Sequence, residues 1–278
     1  ATHSAQGRAW LPGEGRNGRR LMIRIGTSGY SYDDWVGPVY PQGLPKSEWL
    51  AYYAREFNTC EINYTYYRLP SARTLEAMAR KVPADFVFTV KASQELTHGR
   101  ENTHEAFAAF RAGVEPLVAS RQLGCVLAQF PFSFHATPTN RDYLRHFAEQ
   151  LADLPAVIEF RNRAWLREET FDLLRELDLG FCCVDEPRLS GLIPPVAVAT
   201  SRIAYVRFHG RNANKWWQHD NAWERYDYTY TEEELREWEP KIQSLDGQAE
   251  TTFVFANNHW LGQAVGTARQ LRLMLGLG

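Results

Sequence analysis

Polar and charged residues stand at the last positions of the short apolar runs that recur along this chain. Seven of the eight runs end in this way, with Glu61, Asn63, Lys91, Gln129, Glu159, Arg161, Asp185, Arg207, His209, Asn257 and Asn258. Carboxylates beside an imidazole can transfer protons near neutral pH, because burial and neighbouring charges tune their pKa values. We therefore predict Glu159 and His209 as the proton-transfer groups. The predicted orienting groups are Glu61 and Asp185.

The cations of the same set point to an anionic ligand. Lysine and arginine bind phosphate and carboxylate groups through charge-assisted hydrogen bonds, so Lys91, Arg161 and Arg207 would balance the charge of such a ligand. Aromatic residues near the same strand ends could stack on a sugar or a base, or could form a hydrophobic lid over the rim. The predicted ligand-binding residues are Lys91, Asn63, Gln129, Arg161, Arg207, Asn257, Asn258, Tyr30, Trp35 and Trp165.

The acids of this set are predicted to have basic neighbours. Consecutive strands of a barrel lie side by side, so Glu61 should lie beside Lys91. For the same reason, Asp185 should lie beside Arg207. A lysine next to a carboxylate stays protonated, which favours an ion-pairing role for Lys91 over the formation of a Schiff base.

Basic neighbours also disfavour a divalent metal, because they compete with it for the carboxylates. Glu159, for example, shares a strand face with Arg161 two residues further on. We therefore predict a site that uses neither a metal nor another cofactor. The alternative that stays open is a metal held by Glu61, Glu159, Asp185 and His209.

Short β-rich runs alternate with helical patterns along the chain. The predicted strands are 22–27, 59–64, 86–91, 124–130, 156–161, 181–185, 203–209 and 252–256. The predicted helices follow Ser47 and Ser71, cover 104–120, 139–152, 168–177 and 231–245, and close the chain after the last strand. Alternating strands and helices indicate a parallel sheet with right-handed crossovers.

Eight such units favour a single (β/α)8 barrel of the triose-phosphate-isomerase (TIM) type, because its usual length is about 250 residues. An open doubly wound sheet should show a full glycine-rich phosphate loop after its first strand, which is missing here. Two connections depart from the regular pattern. Residues 186–200 are rich in proline and predict a degenerate helix after strand 6, and residues 210–230 predict a long aromatic loop after strand 7.

The barrel domain is predicted to span 22–278, after a flexible tail over 1–21. The chain shows no secretory signal and no apolar run of membrane-spanning length. Its four cysteines fall in predicted buried strands without metal-binding spacing, which suits a reducing, cytoplasmic location. A formal net charge of −2 gives no basic surplus for holding nucleic acid, so a small anionic ligand is the favoured partner and nucleic acid a less favoured one.

The segments that carry these residues resemble the family catalogued as domain of unknown function 72. The matching segments are GTSGYSYDDWVGPVYP (26–41), FNTCEINYTYYRLPS (57–71), FVFTVKASQELTH (86–98), VIEFRNRAW (157–165), YVRFHGRN (205–212) and FANNHW (255–260). The resemblance covers nearly all of 22–278 in the same order. The resemblance implies a TIM-type barrel, and it implies no particular reaction, because none is established for the family.

Three functions follow from these residues. The favoured one is an enzyme of hydrolase, lyase or isomerase type, which uses acid–base chemistry on a small anionic ligand that resembles a sugar or a nucleotide. The second is a metal-dependent enzyme that processes nucleic acid, such as a nuclease or repair enzyme. The third is a barrel that binds a ligand without catalysis.

Overall fold

Eight parallel strands form one nearly closed barrel in the computed structural model, which describes residues 22–151 and 153–277. The strands are β1 (Ile23–Thr27), β2 (Thr59–Ile62), β3 (Val87–Lys91), β4 (Leu123–Gln129), β5 (Ala156–Glu159), β6 (Leu179–Asp185), β7 (Ile203–Phe208) and β8 (Thr251–Ala256). Hydrogen bonds join them in the order β1-β8-β7-β6-β5-β4-β3-β2. The predicted single (β/α)8 barrel is confirmed. Residues 1–21, the predicted tail, lie outside the described residues.

The barrel closes where β1 meets β2. Ser28 forms a parallel bridge with Glu61, and the amide of Gly29 donates a 2.7 Å hydrogen bond to the carbonyl of Glu61. A Cβ atom added to Gly26 would lie 2.3 Å from the carbonyl oxygen of Thr59. The two strands can therefore come this close only because residue 26 has no side chain.

Eight α-helices surround the barrel in the described part of the chain. They are α1 (Trp49–Tyr53), α2 (Ala72–Ala79), α3 (His104–Ala119), α4 (Pro138–Leu151), α5 (Glu168–Glu176), α6 (Glu232–Arg236), α7 (Glu239–Gln248) and α8 (Gln263–Met274). The single helix predicted over 231–245 is wrong, since the chain forms α6 and α7 there. Pro240 lies in the first turn of α7, and proline would clash with the preceding turn of a continuous helix.

Both predicted irregular connections are confirmed. The chain between β6 and β7, residues 186–202, contains no helix. The connection after β7 runs over the mouth of the barrel and holds one 3-10 helix, Ala222–Tyr226, before α6 begins. Six residues of the connection after β7 line the cavity above the carboxyl ends of the strands, whereas the connection after β6 contributes Leu192.

The core is continuous from the barrel interior to the surrounding helices. Every residue of β6 and β7 is buried, as expected for parallel strands covered on both faces. Inside the barrel, the ring of Tyr205 packs against Phe253 and Phe255. All four cysteines are buried and free, as the sequence predicted. In residues 22–151 and 153–277, no helix combines the length and the apolar composition that crossing a bilayer requires.

Candidate active site

A cavity of about 990 Å³ opens at the carboxyl ends of the strands. Eight of the sequence-predicted site residues line it: Tyr30, Glu61, Asn63, Lys91, Gln129, Arg161, Arg207 and Asn257. The other six lie behind its surface, and they are Trp35, Glu159, Trp165, Asp185, His209 and Asn258. The strand ends therefore converge on one site, but not every polar side chain there reaches the ligand space.

Arg207 clamps two carboxylates together across the barrel. Its Nε and Nη2 atoms donate to Glu61 at 3.0 and 2.6 Å, and its Nη1 atom donates to Glu159 at 2.6 Å. The hydroxyl of Tyr205 adds a 2.6 Å hydrogen bond to Glu61. Burial opposes the ionised form of Glu159, but Arg207 and Arg161 hold the pKa of its carboxyl well below the usual range. The carboxyl groups of both acids are engaged by these partners.

His209 lies beneath the cavity floor as a neutral imidazole. The side-chain amide of Asn257 donates to its Nδ1 at 2.9 Å, so the proton is on Nε2 and is donated to Glu159 at 3.0 Å. Burial and the charge of Arg161 lower the pKa of His209 to about 3. Neither ring nitrogen is left for a ligand, and neither His209 nor Glu159 has exposed surface.

Lys91 does not pair with Glu61, contrary to the sequence prediction. Inward-facing side chains of non-adjacent strands meet at the centre of a barrel, so Arg207 from β7 reaches Glu61 first. The Nζ atom of Lys91 instead donates to the side-chain oxygen of Gln129 at 3.0 Å. Burial and the nearby Arg207 lower the pKa of Lys91 to about 7, so the expectation of a permanently protonated lysine is also wrong.

Asp185 is not beside Arg207, and this second predicted pairing is wrong as well. Val184 pairs with Arg207 in the register between β6 and β7, so the next residue of β6 faces outward, away from the barrel interior. Asp185 there accepts two hydrogen bonds from Arg211, at 2.9 and 2.8 Å. Tyr230 and Trp238 each donate to it at 2.7 Å. The residue anchors the long loop and α7 rather than a ligand.

The third predicted pairing is confirmed. Arg161 Nε lies 2.9 Å from a carboxylate oxygen of Glu159. The guanidinium also lies 5.6 Å from the ring centre of Trp216. Arg161 therefore shares Glu159 with Arg207, and one carboxylate serves two guanidinium groups at the cavity floor.

Glu186 is a site residue that the sequence reasoning missed. One carboxyl oxygen accepts a 3.0 Å hydrogen bond from the amide of Ile193, and the other lies 3.7 Å from Arg161. Burial raises the pKa of this carboxyl to about 8. The alternation of strand faces could have found it, because residue 186 follows the outward-facing Asp185.

His98 is a second missed residue, because a histidine just beyond β3 reads as part of a loop. It lies in a π-helix, Glu95–Gly99, a rare conformation that is frequent at functional sites. The imidazole lines the cavity beside Tyr66, with 5.2 Å between ring centres. Burial and the charge of Lys91 lower the pKa of His98 to about 4, so the ring is neutral.

Two of the three aromatic residues predicted to bind the ligand, Trp35 and Trp165, do not line the cavity. Trp35 is buried and donates its ring N–H to the carbonyl of His259 at 2.7 Å. Trp165 is also fully buried, stacked on Phe160. The side-chain amide of Asn258 donates hydrogen bonds to the carbonyl of Tyr228 and the hydroxyl of Thr267, at 2.8 and 3.0 Å. Besides Tyr30, the cavity wall is made by Tyr32, Tyr64, Tyr66, Tyr67, Phe132, Trp216, Trp217 and Tyr226.

The four residues of the alternative metal site do not converge. Glu61, Glu159 and His209 meet around Arg207, whereas Asp185 faces the outside of the barrel. Within the residues that the structure describes, no three His, Cys, Asp or Glu side chains are grouped so that they could hold a metal ion. The carboxylates of this region serve as partners for arginines.

Comparison with known proteins identifies the family. The profile of the family described as "Protein of unknown function DUF72" matches residues 24–278. The UPF0759 protein YunF of Bacillus subtilis is 33% identical over 270 residues, which cover 91% of this chain and 95% of that protein.

Two solved structures share the fold closely. A DUF72 family protein from Thermotoga maritima is 41% identical, with a TM-score of 0.85 over 92% of this chain and 99% of that one. A DUF72 family protein from Enterococcus faecalis is 26% identical, with a TM-score of 0.82 over 92% and 96% of the two chains. With its match over residues 24–278 and these relatives, the chain belongs to the DUF72 family of proteins of unknown function.

Proposed function

We propose that this protein is an enzyme that uses acid–base chemistry on a small anionic ligand held at the floor of the cavity. The observation that carries the proposal is the charge of the lining. Lys91, Arg161 and Arg207 line the floor, and Glu61 is the sole carboxylate among the described residues that line the cavity. A phosphate or carboxylate group is the chemical complement of such a surface.

The internal acids balance only two of these three cations. Glu61 and Glu159 are shared between Arg207 and Arg161. Glu186 carries a proton at neutral pH, because its pKa is raised to about 8 by burial. Two carboxylates therefore face two guanidinium groups, and the charge of Lys91 has no counterpart until an anion binds.

The walls suit a ligand with flat or ring-shaped parts. Aromatic rings line the cavity, including Tyr32, Tyr66 and Trp216. Such rings stack on sugars and on nucleobases. A cavity of about 990 Å³ is within the usual size of small-molecule sites, which runs to roughly 1,000 Å³. A sugar phosphate or a nucleotide therefore fits both the charge and the shape.

Lys91 is the group best suited to transfer a proton to or from such a ligand. It lines the cavity, and a pKa of about 7 lets its amine accept or donate a proton near neutral pH. We assign a positioning role to Glu159 and His209, which have no exposed surface and hold Arg161 and Arg207 in place. They would act on the reaction through the orientation of these cations.

Calorimetric titration with inorganic phosphate and with ribose 5-phosphate tests anion binding. R161Q should weaken the binding of both at least tenfold, because each loses a charge-assisted hydrogen bond in a desolvated site. The matched control is R145Q, which removes a cation on α4 that pairs with the exposed Glu176 outside the barrel. Equal affinities for R161Q and the unaltered protein would contradict the proposal.

Turnover separates the remaining functions. Once a turned-over substrate is found, K91Q should reduce kcat at least a hundredfold, in line with the usual contribution of a general acid or base, while its melting curve stays cooperative. Binding without turnover across a panel of sugar phosphates and nucleotides would favour the non-catalytic barrel. Stoichiometric zinc, manganese or iron in the purified protein, together with cleavage of DNA, would favour the nucleic-acid-processing enzyme.

A further inference from the structure

Lys91 differs from the other cations of the cavity floor because it holds no carboxylate. Its Nζ atom donates to Gln129 at 3.0 Å and lies 4.6 Å from the ring centre of Tyr66. Glu61, its expected partner, is occupied by Arg207 and Tyr205. Among the described residues, no carboxylate forms an ion pair with Lys91, and the more distant charges of Glu159 and Glu61 only partly oppose the release of its proton.

The surroundings favour the neutral amine. Burial and the charge of Arg207 lower the pKa of Lys91 to about 7, and Arg161 acts in the same direction. The uncharged amine is therefore populated at neutral pH. A lysine that is desolvated beside another cation is an activated nucleophile toward carbonyl groups.

We propose that Nζ of Lys91 adds to the carbonyl carbon of an anionic aldehyde or ketone and forms an imine. This inference rests on the proposed function, since it places the same class of anionic ligand in the same cavity. It adds that the ligand carries a carbonyl group within reach of Lys91 when its phosphate or carboxylate binds Arg161. The ligand class is therefore open-chain sugar phosphates and 2-oxo acids.

The reaction balances without an oxidant or a reductant. The lone pair of the neutral amine forms a C–N bond, and the π electrons of the C=O bond move to oxygen. One proton passes from nitrogen to that oxygen, which gives a carbinolamine. The nitrogen lone pair then forms C=N while the hydroxyl leaves with the second amine proton as water. Protonation of the imine gives an iminium ion, which withdraws electrons from the neighbouring carbon.

His98 can relay these protons. The hydroxyl of Thr97 donates to the carbonyl of Ser93 at 3.2 Å, so its oxygen accepts the 2.9 Å hydrogen bond from Nδ1–H of His98. The other ring nitrogen, Nε2, is then an unprotonated acceptor. The ring lines the same cavity as Lys91, and its pKa of about 4 keeps it neutral. Nε2 can therefore take the proton from nitrogen and return it to the departing hydroxyl.

Reductive trapping tests the inference directly. The protein is incubated with dihydroxyacetone phosphate or with pyruvate, then reduced with sodium borohydride, digested and mapped by mass spectrometry. The chain has only five lysines, and Lys46, Lys215 and Lys241, which do not line the cavity, serve as internal controls in the same peptide map. We expect one adduct per chain, on Lys91, with a trapping rate that is half-maximal near pH 7. Lys91→Arg should remove the adduct, and saturating inorganic phosphate should slow trapping at least tenfold.

The outcomes separate this inference from the proposed function. Calorimetric binding of phosphate without any adduct on Lys91 would overturn the imine and leave the anion site standing. Equal labelling of all five lysines would also overturn it. If phosphate does not slow the formation of the adduct, the assignment of an anionic ligand is overturned. If neither phosphate binding nor an adduct is observed, both proposals are overturned.

Discussion

Two adjacent carboxyl groups at the end of β6 lie on opposite sides of the barrel wall and have opposite surroundings. Asp185 faces outward and accepts four hydrogen bonds of 2.7–2.9 Å from Arg211, Tyr230 and Trp238. Glu186 faces the cavity side, where one of its oxygens has no hydrogen-bond partner and lies 3.7 Å from Arg161. Both carboxyl oxygens of Asp185 therefore have hydrogen-bond partners within the fold, whereas one carboxyl oxygen of Glu186 has none.

The same contrast separates the two groups of cations. Arg211 is shared among carboxylates of the outer cluster, including Asp185 and Glu237. Lys91 on the inner side has one amide oxygen and one aromatic ring as its partners. Buried polar groups are normally satisfied, so incomplete pairing on one side of the wall marks the side that receives a ligand. Polar strand ends are therefore of two kinds, and only incomplete pairing identifies the functional one.

The largest effect on stability should come from the clamp at the centre of the barrel. R207M leaves Glu61 and Glu159 buried without their main partner, and removing one member of a buried ion pair costs about 3–5 kcal/mol. Chemical denaturation should show this loss. The control R145M breaks an exposed ion pair with Glu176 and should cost less than about 1 kcal/mol. Similar losses for the two variants would show that the inner cluster does not hold the fold.

A smaller loss of stability, without a change in ligand binding, is expected in the outer cluster. D185N removes the charge that Arg211 pairs with and presents an amide N–H₂ group to donors. The expected cost is about 2–3 kcal/mol of unfolding free energy, the range for hydrogen bonds to charged groups. Phosphate affinity should stay within about twofold, a difference well below 1 kcal/mol. A tenfold loss of phosphate affinity would show that Asp185 supports ligand binding in the cavity. It would contradict the contrast between the outer and inner sides of the barrel wall.

The smallest effect should come from Glu186, and it should depend on pH. Burial raises the pKa of Glu186 to about 8, so the folded chain keeps a proton that the unfolded chain loses near its ordinary carboxyl pKa. The stability that this group contributes therefore falls as the pH rises from about 4.5 toward 8. E186Q has no proton to lose. Its unfolding free energy relative to the unaltered protein should increase by ~2 kcal/mol between pH 6 and 8, and a pH-independent difference would contradict the raised pKa.

The sequence alone predicted the barrel and the end of it that carries the site. Buried parallel strands read as apolar runs, and their polar last residues, such as Glu61, Lys91 and Arg207, line the cavity. Strand order could not predict the pairing of Glu61 with Arg207, because long side chains cross the interior between strands that are not neighbours. The expected pair of Glu61 and Lys91 failed for this reason.

Two further residues lay beyond the reach of the sequence patterns. The predicted end of β6 at Asp185 left Glu186 in a loop, whereas the register with β7 decides which of the two faces the barrel interior. His98 reaches the cavity through a π-helix, for which the sequence shows no periodic signal. Both residues depend on local backbone geometry that forms only when neighbouring elements pack together.

Titration of the Lys91 amine tests the central claim of an unpaired cation at the cavity floor. Reductive methylation with ¹³C-formaldehyde labels the lysines for NMR, and the spectrum of Lys91→Arg identifies the Lys91 signal. The account predicts a midpoint near pH 7 for Lys91, well below the ordinary lysine value of about 10.4, and an upward shift of the Lys91 midpoint when phosphate binds. A Lys91 midpoint near that ordinary value, unchanged by phosphate, would contradict it.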